Sequence, residues 1–510
     1  MRRPRPPHLP QVALLGLALA AGGCDCGAGA QADAGPGPSP GCVVPSTSTW
    51  QRVNGGVAGP AADPGGCQQP ISASALPGAQ VQALGVHAVG EVLRFTVPAG
   101  TGGLSIVSQA SSGVVDSIDV GGGGRTVAVP NTVIPTLLRM PDGTVLYNDD
   151  ATPPTDGTTA LVWFAGSSPG TGSLTLPNTT RGLAAAAQGY PAGTWSMVVN
   201  DYAAECTRLA GCDGGSTAGR YDVTVLTRPL AYATGTLDLS FYLVTPTLTA
   251  TQAMTDAHVQ RFLTTLATFY ARAGLCLGTI TFYDVPAWAR ARYATGVDAS
   301  KRGPCDPMKQ LFTLSRPSTG LHFFLVDAIT QGAEASDAGE VVGVDGTIPG
   351  PATVAGTVQS GAVVNFSDYA AGGGCSGAPN FGRDGGVACG ADVTAYIAAH
   401  EGGHFLGLYH TTESFGGLSD PLTDTATCAC DTSCGVSATA NACCLNPTTN
   451  AFRGVCASGQ PTLLFSTNCS RGTATCGGAS SLMFWVLDTA SVGNLSAQQA
   501  EVLRSNPAVH

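Results

Sequence analysis

The stretch that most constrains this 510-residue chain is Ala399-His400-Glu401-Gly402-Gly403-His404-Phe405-Leu406-Gly407-Leu408-Tyr409-His410. It reads His-Glu-x-x-His-x-x-Gly-x-x-His. On an α-helix of about 3.6 residues per turn, His400 and His404 stand one above the other, so two imidazoles can reach one metal ion. Glu401 is rotated about 100° off that face, where a carboxylate can hydrogen-bond a metal-bound water without ligating the metal. Gly407 can take the left-handed conformation that ends a helix and bends the chain sharply. The bend lets His410 return as a third ligand and leaves a fourth position open, which separates catalytic from structural zinc sites. The competing reading is an amphipathic helix with buried histidines. Against it, three of the chain's eight histidines fall here at ligand spacing. Two adjacent glycines inside a helix also cost about 1 kcal/mol each, which helix stability alone would not select.

The motif is the one carried by the metzincin metallopeptidases, and the chain resembles that clan over roughly its second half. Within the clan it looks most like the pappalysin (cytophagalysin) family. His410-Thr411 matches the His-Thr pair that follows the zinc helix there, and Asp420-Pro421-Leu422-Thr423-Asp424-Thr425 matches an Asp-x-x-x-Asp-Thr stretch. The resemblance implies one Zn2+ on His400, His404 and His410, with Glu401 as general base and a peptide or protein substrate. It implies structural Ca2+ at Asp420 and Asp424; hard carboxylates suit calcium, although two are too few to define a site. It implies a methionine turn beneath the metal, filled by Met483 in Ser481-Leu482-Met483-Phe484-Trp485. Many relatives carry Tyr two residues after that Met, and Trp485 has no phenol oxygen to offer. In the clan the strand before the zinc helix lies on the sheet edge and holds extended substrate by β-augmentation. That role falls here on residues 361–366, with Val363, Val364 and Asn365 at its centre.

The expected architecture is multidomain: an N-terminal all-β sandwich followed by an α+β metzincin-like domain with a Cys-rich lower half. Residues 1–24 read as a lipoprotein-type signal peptide. Arg2, Arg3 and Arg5 precede an apolar run over residues 12–21, and Gly22-Gly23-Cys24 closes it. Cys24 is then the acylated residue, although Ala21 stands where Leu is usual; the alternative is an ordinary signal peptide cut nearby. This places the protein in the cell envelope or at the cell surface, held to a membrane by a lipid anchor only. Residues 25–77, rich in Gly, Ala and Pro, read as a flexible tether. Cys42 and Cys67 can close a loop within it.

Residues 78–229 alternate short strands and turns, as in a sandwich. Leu93, Phe95 and Val97 alternate with polar neighbours, and Pro141-Asp142-Gly143 marks a tight turn. Residues 194–199 and 221–225 continue the pattern, and the segment resembles jelly-roll P-type domains of secreted peptidases. Asp149, Asp150, Asp156 and Asp201 read as solvated turn carboxylates ahead of a calcium site. The second domain, 235–510, opens with a strand carrying Leu237, Leu239, Phe241 and Leu243. A helix with Val259, Phe262, Leu263, Leu266, Phe269 and Tyr270 at helical spacing follows and stops at Gly274. Strands over residues 279–285 and 321–329 come next, and Asp392 or Thr394 is the expected cap of the motif helix. Ser496 and Gln499 make a capping box for a closing helix.

Eighteen cysteines suit export to an oxidising compartment. Near neighbours suggest Cys206–Cys212, Cys276–Cys305 and Cys375–Cys389, with eight more from Cys428 to Cys476. A second zinc site at Cys428, Cys430 and Cys434 is the alternative to disulfides there. A net charge of −11 with two lysines argues against nucleic-acid binding. The function expected is a surface-anchored zinc metalloendopeptidase. The alternative is a non-enzymatic adhesin with a structural zinc site.

Overall fold

The computed structural model describes residues 16–17, 50–64, 79–112, 115–119, 126–130, 133–148, 165–168, 170–201, 219–230, 234–299, 307–330, 340–352, 354–372, 375–381, 388–413, 419–426, 478–487 and 492–510. Two sheet-based bodies emerge, and the described part of the molecule is mostly sheet with few helices. Among the described residues no helix is long and apolar enough to cross a membrane.

The first body is an antiparallel sandwich. One sheet runs, in spatial order, Ala165–Ser168, Thr171–Leu176, Thr101–Ser112, Arg220–Pro229 and Gln80–Ala88. The other runs Val92–Val97, Gly193–Asp201, Val133–Arg139 and Val145–Asn148. Strand alternation does the packing: Leu93, Phe95 and Val97 are buried while Val92, Arg94 and Thr96 are exposed. The inward residues of both sheets close over Trp195, whose ring meets Tyr190 edge-on at 5.5 Å. The expected turn at Pro141-Asp142-Gly143 is present: Asp142 Oδ1 accepts the Thr144 amide at 2.9 Å.

The second body is built on a six-stranded sheet. Gln51–Val57, Leu275–Asp284, Gly235–Leu243, Leu321–Val326 and Ala362–Asn365 run parallel, and Gly343–Asp345 closes one edge antiparallel. Parallel strands are covered on both faces, and here each face has its own apolar set. Phe241 stacks on Phe282 and Phe323 at 5.5 Å each and meets Phe262 of the helix Ala257–Arg272 edge-on at 5.3 Å. Tyr242, Phe324 and Val363 point the other way, onto Met308, Leu311 and Phe312 of the short helix Pro307–Phe312. Each such side chain contributes about 1.5–3 kcal/mol by burial. The motif helix Gly390–Phe405 packs on Ala257–Arg272 and on the edge of the sheet.

Three expectations are corrected. Residues 51–57, read as part of the tether, form the outermost parallel strand; an exposed edge strand carries little apolar pattern, so it reads as linker. Val363, Val364 and Asn365 are not at the sheet edge, because the chain returns through them between Leu321–Val326 and Gly343–Asp345. Neither Asp392 nor Thr394 caps the motif helix. It starts at Gly390 behind Cys389, with no side-chain cap. The Cys375–Cys389 disulfide is formed, and Cys276 is also disulfide-bonded. Cys24, Cys42, Cys67, Cys206, Cys212, Cys305, the cysteines from Cys428 to Cys476, Asp149, Asp150, Asp156 and the Asp201 side chain lie outside the described residues.

Candidate metal centre

The motif helix carries His400 and His404 one turn apart, ends at Phe405, and gives way to Gly407 at φ 111°. The chain then doubles back, and the three Nε2 atoms stand 3.1 Å (His400–His404), 3.2 Å (His400–His410) and 3.2 Å (His404–His410) apart. Each ring is held from behind. His400 Nδ1 donates to Leu482 O at 2.7 Å and His404 Nδ1 to Leu408 O at 2.7 Å. His410 Nδ1 donates to Glu413 Oε2 at 2.9 Å. Carbonyls and carboxylates only accept, so the proton sits on Nδ1 and the Nε2 lone pairs face one another.

Three lone pairs at that distance are not hydrogen bonds; the arrangement suits a cation between them. Burial, then the charge on His410, hold His400 down at about 3, with the Leu482 carbonyl opposing. Burial, then the charges on His400 and His410, hold His404 well below its usual value. Both rings are therefore neutral imidazoles near pH 7, the form that can ligate a metal. A tetrahedral ion with nitrogens at about 2.0–2.1 Å sets them about 3.3–3.4 Å apart, so the triad fits one. Among the described residues this is the only group of three or more His, Cys, Asp or Glu side chains gathered within ligating distance.

Glu401 is fully buried beside the triad, and no side chain hydrogen-bonds its carboxylate; the Asp345 amide is directed at it without reaching full hydrogen-bonding geometry. Burial, then the charge of Asp345, push its carboxyl well above the ordinary range, while the Asp345 amide opposes them. The edge strand lies directly over it: a Cβ on Gly343 would sit 2.5 Å from Glu401 Oε1. In that strand Gly346 N bonds Gly361 O and Asn365 N bonds Val342 O. The alternation of an antiparallel ladder then turns the backbone groups of Gly343 and Asp345 outward.

The adjacent glycines have a packing reason. A Cβ on Gly402 would lie 2.1 Å from the Tyr270 hydroxyl, and one on Gly403 would lie 2.7 Å from Met483 Sδ. Met483 thus sits under the helix at the level of His404, fully buried, and its carbonyl accepts the Thr411 amide at 2.9 Å. Trp485 is buried as well.

Asp420 and Asp424 are engaged by protein donors. Asp420 is buried and accepts from Thr425 Oγ1 and Gln499 Nε2, and Asp424 accepts the Gln498 amide at 2.8 Å. Burial pushes the Asp420 carboxyl up to about 7. The two carboxylates tie the loop after the triad to the closing helix Ala497–Ser505.

Three contributors escaped the sequence reading: Asp345, Glu413 and Gly343. Glu413 had one usable signal, a carboxylate three residues after a ligand histidine. Asp345 and Gly343 lie in a run with no motif. Compared with known protein families and with curated proteins, the chain matches no family model and no curated sequence.

Proposed function

We propose that the protein is a zinc-dependent endopeptidase of metzincin type, most like the pappalysins. The observation that supports this best is the buried Glu401 carboxylate, with no side-chain hydrogen-bond partner, beside three imidazole lone pairs that converge on one point. His400, His404 and His410 would hold the ion. A bound zinc would supply Lewis acidity and lower the pKa of a water there to about 7. Glu401 would be the base that takes a proton from that water and returns it to the leaving amine. The outward backbone groups of the edge strand, those of Gly343 above all, would pair with an extended peptide, in the role first assigned to Val363, Val364 and Asn365. Cys24 lipidation, with export to the cell envelope, belongs to the same proposal.

One observation favours the competing reading of a binding module with a structural metal. The three histidines and Glu401 are at most 3% exposed. A structural site, however, has no use for a carboxylate without a side-chain partner, whose burial costs free energy. The deciding test pairs zinc content with cleavage of an unstructured protein. Glu401→Gln should keep about one equivalent of zinc and lose at least about 10²-fold in turnover. Full activity in that variant removes Glu401 as the base. A wild type that binds zinc and cleaves nothing favours the binding module.

A further inference from the structure

The residue before the third ligand does not belong to the body that carries the other two. Tyr409 is 2% exposed and packs in the core of the sandwich, among residues such as Leu174, Leu176, Tyr190 and Trp195. Every other buried member of that core lies between Leu93 and Val225, except Ile348. The exchange is mutual, for Val107, Leu183 and Leu226 of the sandwich are buried in the core of the second body.

Further contacts join the two bodies, and one reaches the same turn. The Thr180 amide and Oγ1, at the start of the sandwich helix Thr180–Ala186, both donate to Pro421 O, at 3.2 and 2.9 Å. Arg228 of the sandwich donates to the carbonyls of Arg504 and Asn506, and the Asn506 side chain donates to Leu406 O at 3.1 Å, where the motif helix ends. On the far side of His410, Thr411 is tied to Met483 O. His410 is thus suspended between a residue anchored in one body and a residue anchored in the other.

We infer that Tyr409 is a positioning residue through which the sandwich sets the third ligand, so that docking of the two bodies and metal affinity are coupled. This rests on the reading of the triad as a metal site. Coupling of this kind is reciprocal: whatever docking adds to metal binding, the metal adds to docking. The sandwich is then part of the metal centre's scaffold, and a loosened interface lets His410 drift away from His400 and His404.

The test uses the full chain and zinc ion in competition with a chromophoric chelator. Tyr409→Ala should raise the zinc dissociation constant about 10–100-fold, the usual effect of losing a residue that orients a ligand. Tyr409→Phe, which keeps the ring in the sandwich core, should bind zinc more tightly than Tyr409→Ala. Asp142→Ala, which loosens an exposed sandwich turn outside that core, should leave zinc affinity unchanged. A second measurement needs no variant: zinc should slow amide hydrogen exchange in Thr171–Leu176 and Thr180–Ala186. If Tyr409→Ala fails to fold, this exchange measurement decides alone. Unaltered affinity in a folded Tyr409→Ala overturns the inference, as does exchange in those segments that ignores zinc. A wild type that takes up no zinc overturns the metal reading and this inference together. Uptake without coupling overturns only the latter.

Discussion

The two 16-residue helices of the second body, Ala257–Arg272 and Gly390–Phe405, lie against each other and are built on opposite principles. The first follows local rules. Asp256 caps it, its side chain accepting the Val259 amide at 2.9 Å, and its apolar residues form one stripe with a partly exposed opposite face. The second has no side-chain cap, carries two adjacent glycines, and buries nearly every residue it has. Its first turn is held by its neighbour: Asp392 takes Arg261 Nε and Nη2 at 2.7 Å each, Thr265 Oγ1, and the Asn380 amide at 2.8 Å. A helix made by its own sequence can be moved without losing its shape. A helix made by its surroundings holds its side chains only where those surroundings put them, and this is the helix that bears the triad.

The largest expected effect separates the two helices at Asp392. Asp392→Ala leaves Arg261 and Thr265 without their buried acceptor and should cost about 3 kcal/mol, toward the low end for breaking a buried pair because Arg261 keeps some water contact. Chemical denaturation measures it, and a loss below about 1 kcal/mol would make the motif helix as self-sufficient as its neighbour.

Next comes Gly402→Ala. In an exposed helix this exchange gains about 1 kcal/mol. Here the added methyl meets the Tyr270 hydroxyl, so a loss of about 1–3 kcal/mol is expected. Tyr270→Phe in the same chain should recover part of that loss, a coupling that a double-mutant cycle reads directly. A Gly402→Ala protein more stable than the wild type would end the packing explanation.

The smallest effect is on the self-made helix. Asp256→Ala removes one cap and should cost about 1 kcal/mol. Zinc content should stay unchanged, since His400 and His404 lie on the other helix and His410 just beyond its end. Zinc loss in Asp256→Ala would show that the two helices are less separable than their construction suggests.

The sequence by itself determined what depends on neighbours along the chain. The ligand spacing of His400, His404 and His410 follows from the helical repeat and from one glycine that can turn left-handed. The strand alternation at Leu93, Phe95 and Val97, the apolar stripe of Ala257–Arg272 and the capping box of Ser496 and Gln499 follow from equally local rules, and all are found. Only the tertiary structure decided which strand stands at the sheet edge, that residues 51–57 join that sheet, and that Asp345 and Gly343 face Glu401. It also decided that Tyr409 leaves its own body for the core of the sandwich. The physical reason is common to all four. Strand order and the burial of a single side chain are fixed by contacts between residues far apart in sequence, whose pairing energy leaves no periodic trace in either partner.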